Sequence, residues 1–158
     1  MIQITFGVFE IVLDVLVQAA TVAIVLRYMM KHKWQNQRKN KQGVSDLRIA
    51  TTLATVMVVL FLGHMVQIAS WAVPFRFFGQ FDDFGTAFYH SAVNYTALGY
   101  GDIVMDEGWR VLGALEAADG MLMFGVSTAT FFAIMSTMMR NRMASPQGRG
   151  GDEDTEDA

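Results

Sequence analysis

The chain of 158 residues contains no cysteine and only two prolines. Without cysteine there is no disulfide framework and no thiolate metal site, and the redox compartment is left open. No apolar stretch carries regularly spaced arginines, so a four-helix voltage sensor is excluded. No nucleophile–base pair and no metal-ligand constellation appears, and the chain reads as no enzyme. Internal repeats are missing too, as are the duplicated halves and paired broken helices of secondary transporters. The net charge of −3 decides little, because the charges are strongly segregated along the chain.

What the chain has is apolar length: 53% of its residues are hydrophobic and they gather into long runs. A span needs about 20 mainly apolar residues to cross roughly 30 Å of hydrocarbon. Residues 4–30, 49–75 and 109–138 each qualify. The first lacks a basic start and a small-x-small cleavage site, and basic residues follow it, so it reads as a retained helix, not a signal peptide. Arg27, Lys31, Lys33, Arg38, Lys39, Lys41 and Arg48 crowd between the first two runs, and Arg140 and Arg142 follow the third. The positive-inside rule then places the loop 31–48 and the C-terminus in the cytoplasm and the N-terminus outside. Tyr28 and Trp34 on the inner side, and Trp71 and Trp109 on the outer, suit interfacial aromatic belts. The tail 141–158 ends GDEDTEDA, has no EF-hand spacing and reads as a disordered acidic segment.

Between the second and third runs, residues 76–108 are too few for an external domain and too apolar for a plain loop. Asp82 and Asp83 precede TAFYHSAVNYT, an acidic start to a helix of about a dozen residues that stops near Gly99. That helix is too short to cross. A half-helix followed by the extended return YTALGYGDIV, residues 95–104, is a re-entrant loop, since non-helical backbone at membrane depth must be buried in protein or line water. A bare cation leaves water only where oxygens replace its hydration shell. Backbone carbonyls can do so where the chain alternates conformation, as Gly99 and Gly101 permit.

The segment Thr96-Ala97-Leu98-Gly99-Tyr100-Gly101-Asp102 resembles the filter of tetrameric potassium channels, Thr-Thr-Val-Gly-Tyr-Gly-Asp. The preceding half-helix, the Trp109-Arg110 pair after it and a mid-helix Gly120 extend the resemblance to some 90 residues. It implies an all-α membrane protein of three transmembrane helices, a re-entrant pore helix and an extended filter, assembled as a homotetramer. It implies K⁺ at the carbonyls of Ala97, Leu98, Gly99, Tyr100 and Gly101, with no other cofactor. Two departures stand out: Ala97 replaces the innermost threonine, and Val93 stands where some relatives carry a buried glutamate. His90 occupies the position of an aromatic that reaches the filter aspartate, so either a His90–Asp102 hydrogen bond or a His at the aqueous rim is expected. Asn94 is a candidate partner for Tyr100 of a neighbouring subunit.

Polar residues inside the spans form the last pattern. Glu10, Asp14 and Gln18 share one helix face, and His64, Gln67, Glu116 and Asp119 fall at comparable depth. Intramembrane carboxylates mark functional sites by default. Here two readings stay open: a protonated cluster that docks the first helix, or a proton or divalent-ion sensor coupled to the filter. On the third span, Gly120 reads as a hinge, and Phe124, Thr128, Phe132 and Ser136 form a stripe that either lines and gates a pore or packs helices. The expected partners are membrane lipid and further copies of the chain, with no nucleic acid and no small-molecule substrate. The expected place is the cell membrane, a bacterial inner membrane. The function reads as passive conduction of K⁺, with a weakly selective cation channel or a silent regulatory subunit as alternatives.

Overall fold

The computed structural model describes residues 2–39 and 46–143, and among them every regular element is helical. Three helices are long: α1 (Ile2–Lys39), α2 (Asp46–Phe77) and α4 (Arg110–Met143), with the short α3 (Phe84–Tyr95) between the last two. At about 1.5 Å per residue, each long helix runs roughly 50 Å and overshoots a hydrocarbon core of about 30 Å. All three contain stretches apolar and long enough to cross a membrane. Their outward faces are apolar as well, with Phe9, Leu16, Phe61, Leu62 and Val66 all more than half exposed, the pattern of helices that meet lipid or other apolar chains.

The helices run past the apolar spans read from the sequence. Most of the segment 31–48, expected as a loop, is helical, because α1 continues to Lys39 and α2 begins at Asp46. Lys, Gln and Arg are good helix formers, so leaving the hydrocarbon does not end a helix. Likewise α4 reaches Met143 and so enters the segment assigned to the tail, whose Pro146 follows. The side chain of Trp34, the stretch 40–45 and the tail from 144 onward lie outside what is described.

Helix α1 packs against both α2 and α4 of its own chain, and two glycines set the approach. A Cβ at Gly63 would come within 2.8 Å of Thr21 Oγ1, and one at Gly7 within 2.7 Å of Leu115 Cδ1. Small residues at such crossings let helices come close where no water drives them together. α3 is cradled between α2 and α4, and the larger core forms around Trp71, Phe75, Tyr95 and Leu112, all fully buried. A smaller core at the other end joins Val25, Val56, Leu60 and Ile134.

Candidate ion-conduction site

Both ends of α3 are built from local chemistry. At its start Asp83 is the N-cap: Thr86 N donates to Oδ1 at 2.9 Å and the Thr86 hydroxyl donates to Oδ2 at 2.6 Å. Those two bonds hold the Asp83 carboxyl below the usual carboxylate range. At its end the amide of Ala97 donates to Asn94 O at 2.7 Å and that of Leu98 to Val93 O at 3.0 Å. This pair of bonds is the Schellman closure, which requires a left-handed residue just beyond the cap. Glycine normally supplies it; here Ala97 does, at φ 55°.

Ala97 is the only described non-glycine residue with positive φ, and the pattern continues with Gly99 at 62° and Gly101 at 70°. Positive and negative φ therefore alternate from Ala97 to Gly101. The glycines were legible as such in the sequence. Ala97 was not, although its place just after a helix cap was a signal. Within the chain, residues 96–102 are exposed.

The flank of this return differs from expectation in one respect. Asp102 Oδ2 accepts from the phenol of Tyr89 at 2.8 Å, not from His90. One residue turns a helix face by about 100°, and that turn carries His90 inward against Phe81 and Phe75, with ring centroids 4.8 and 5.7 Å away. His90 is buried, so it is not at an aqueous rim either. Asn94 Nδ2 donates to its Nε2 at 2.8 Å, so the ring proton sits on Nδ1 and is donated to Ile103 O at 3.0 Å. Burial pushes the His90 pKa down, against smaller upward effects of the Ile103 carbonyl and Asp102. The Asp102 partner pushes the Tyr89 phenol up. Val93 is buried and offers α3 no polar brace, but a glutamate braces α3 all the same. It comes from α4: Glu116 Oε1 accepts from the Ser91 hydroxyl, which also reaches Ile68 O at 2.7 Å.

Behind this return the intramembrane polar residues meet, from all four helices of one chain. Gln18 Nε2 donates to Ser127 Oγ at 2.9 Å, and the Ser127 hydroxyl donates to His64 Nε2 at 3.0 Å. His64 Nδ1 then donates to Gln67 Oε1 at 3.0 Å, which also accepts the Tyr95 hydroxyl at 2.8 Å. Gln67 Nε2 closes the chain on Asp14 O at 3.0 Å. One tautomer of His64 satisfies every link, the condition under which a buried polar network specifies a core. Glu10 accepts from Ser70 at 3.0 Å. Trp71 Nε1 donates to Asp14 Oδ2 at 3.1 Å and to Asp119 Oδ2 at 3.3 Å. Trp71 is thus a buried donor and not a residue of the outer aromatic belt. The sequence had grouped the carboxylates without Trp71, Tyr95, Ser91 and Ser127; the shared face of His64, Gln67 and Trp71 at i, i+3 and i+7 was the available signal.

The stripe on α4 divides. Gly120 is buried, and a Cβ there would lie 1.9 Å from Tyr95 O, so close contact with the end of α3 accounts for this glycine. α4 runs unbroken through it. Phe124 packs on His64 and Tyr95, with centroids 4.4 and 5.7 Å apart. Thr128 and Phe132 are exposed within the chain, and the Ser136 hydroxyl is turned back to Phe132 O at 2.7 Å.

Three apolar helices, a capped half-helix and a glycine-bearing return define a helical multi-pass membrane protein of the pore-loop kind. The model of the ion channel family matches residues 51–137, and the chain belongs to that family. The matched stretch begins in α2 and ends in α4, so α1 lies outside it. No curated protein and no solved structure matches the chain.

Proposed function

We propose that four copies of this chain form a channel that passes K⁺ down its gradient through a filter lined by the carbonyls of Ala97, Leu98, Gly99 and Tyr100. The observation that carries this reading is the alternation of φ at Ala97, Gly99 and Gly101 directly after the end of α3. Alternation lets consecutive peptide groups tilt to one side, and a row of carbonyls on one side is what an ion needs in place of water. One chain supplies one such row, so a ring requires copies about an axis. Four is the number implied by the resemblance of the Thr96–Asp102 segment. The exposure of that segment within a single chain fits a surface completed by neighbours. Asp102, Asp106 and Glu107, all exposed, then make the outer mouth negative and raise the local cation concentration. The remaining apolar faces meet lipid, the N-terminus lies outside and the C-terminus in the cytoplasm. The chain catalyses no covalent reaction.

A second reading has its own observation. Ala97 brings a methyl where the potassium filter has a hydroxyl, and it holds a left-handed conformation that disfavours non-glycine residues by roughly 1–2 kcal/mol. A site without that oxygen favours weaker discrimination of K⁺ from Na⁺. Flux from liposomes carrying the purified protein, under a K⁺ or a Na⁺ gradient, tests both readings. K⁺ flux abolished by Gly99→Asp is the expected result, and the Na⁺ arm measures what Ala97 costs. No flux of either ion from a tetramer demonstrated by crosslinking would overturn both and leave a silent subunit.

A further inference from the structure

Helix α1 stands outside the stretch that defines the family, yet it carries a fully buried aspartate into the centre of the fold. Asp14 meets Asp119 of α4: both are fully buried, and an oxygen of each lies within 3.3 Å of the same Trp71 indole nitrogen. Ionised carboxylates only accept hydrogen bonds, so two of them cannot bond without a proton between them. The indole of Trp71 offers a single N–H to one oxygen of each. The other oxygens, Asp14 Oδ1 and Asp119 Oδ1, are buried with no donor among the described residues. The titratable groups facing the pair are Glu10 on α1, Tyr95 on α3 and Glu116 on α4, with His64 on α2 reached through Gln67. Three of these four are acids that add no positive charge, and the bonds of His64 leave it neutral. Nor do the described residues group into a metal site. The missing donor is a proton.

We propose that Asp14 and Asp119 share one proton within the membrane, and that this proton latches α1 to the pore domain and steadies the inner end of the pore helix. The route to the pore helix is short. Asp119 precedes Gly120, whose Cα lies against the carbonyl of Tyr95, and Tyr95 ends α3 one residue before Thr96. Without the proton, two like charges face each other in a dry site, where their repulsion is screened least. α1 and α4 then part, and α3 loses its backing. The second half of the proposal rests on the channel reading above, whereas the first half does not.

Infrared spectroscopy of the full chain, reconstituted in lipid with ¹³C-aspartate, reads the proton directly. The wild type is expected to show the carbonyl stretch of a protonated carboxylic acid at neutral pH, shifted by the label. Asp14→Asn and Asp119→Asn are each expected to abolish that band, and Glu10→Gln to leave it. Should a variant fail to assemble, the labelled shift in the wild type alone carries the test. As pH rises, the band and the K⁺ flux should fall together, the flux by roughly tenfold. In the two Asn variants an amide donates to the remaining carboxylate without titrating, so their flux should be flat over that interval. An aspartate band absent from the wild type at every pH overturns the shared proton. A band that titrates while flux stays constant overturns the coupling to the pore helix. A band with no ion flux at any pH supports the latch and overturns the channel reading instead.

Discussion

Replacing Gly120 by alanine sets the packing account against a single methyl group. The added Cβ would fall 1.9 Å from Tyr95 O and 2.8 Å from Tyr95 C. Close C···O contacts stop near 3.3 Å, so α3 and α4 must separate by about 1.4 Å. The obstacle is backbone, so no rotamer relieves it. Tyr95 is also held at its hydroxyl by Gln67, 2.8 Å away. Overpacking of this kind costs about 1–3 kcal/mol, and a backbone obstacle puts Gly120→Ala at the upper end. Two glycines of the same helix grade the effect. At Gly113 the Cβ meets Asn94 Nδ2 at 2.9 Å, the end of a side chain that can swing, whereas at Gly125 nothing of the chain lies within 4 Å. Gly113→Ala should therefore cost less, about 1 kcal/mol, and Gly125→Ala should gain up to about 1 kcal/mol from helix propensity. Far-ultraviolet circular dichroism during unfolding in mixed detergent gives the order, and flux measured in parallel gives its consequence. Equal stability of Gly120→Ala and Gly125→Ala would mean that the Tyr95 carbonyl does not obstruct a side chain at 120.

Three further outcomes follow from named contacts. An ideal Cβ at Gly7 lies 3.8 Å from Leu115 Cβ, the mean spacing of a disulfide at about 3.8 Å. Gly7→Cys with Leu115→Cys, in a chain with no other cysteine, should oxidise to a bridge within one chain; a covalent dimer on a denaturing gel would mean that α1 docks on a neighbour. The pKa of His90 is depressed by burial. Its contribution is therefore intact above the unfolded value, about 6.5, and is lost as pH falls toward the lower folded value. External acid should thus reduce K⁺ flux in the wild type and not in His90→Gln, opposite in sign to a filter strengthened by a protonated His90. The Tyr89 phenol is raised by Asp102, so its bond is fully present below the unfolded value, about 10, and is lost as pH rises through the folded one. Tyr89→Phe should remove that alkaline step from the flux profile and lower flux at neutral pH; an unchanged profile would separate the Tyr89–Asp102 bond from conduction.

Much of this architecture was open to a reader of the sequence because membranes simplify the code. Runs of apolar residues gave three helices, and Asp83 before a dozen mixed residues gave the half-helix. The carboxylates at 10, 14, 116 and 119 were conspicuous because their cost demands partners. Less legible were matters of rotation. Tyr89 and His90 are adjacent, and only the angle of α3 between α2 and α4 decides which faces Asp102. Trp71 resembled a belt residue by depth, since hydropathy records how far along a helix a residue lies and not which way it points. The role of Glu116 in bracing α3 was hidden because its partner, Ser91, belongs to another helix. Gly120 invited a hinge reading by its mid-helix place, and the close carbonyl of Tyr95 accounts for it without one.

On the channel reading, one backbone row from each of four chains completes a single ion path. The deciding measurement is K⁺ flux from tetramers assembled with increasing fractions of Gly99→Asp chains, with total protein held constant. A ring that fails when any one row fails predicts that flux falls as the fourth power of the wild-type fraction. Flux falling in simple proportion to that fraction would contradict it, because each chain would then conduct alone.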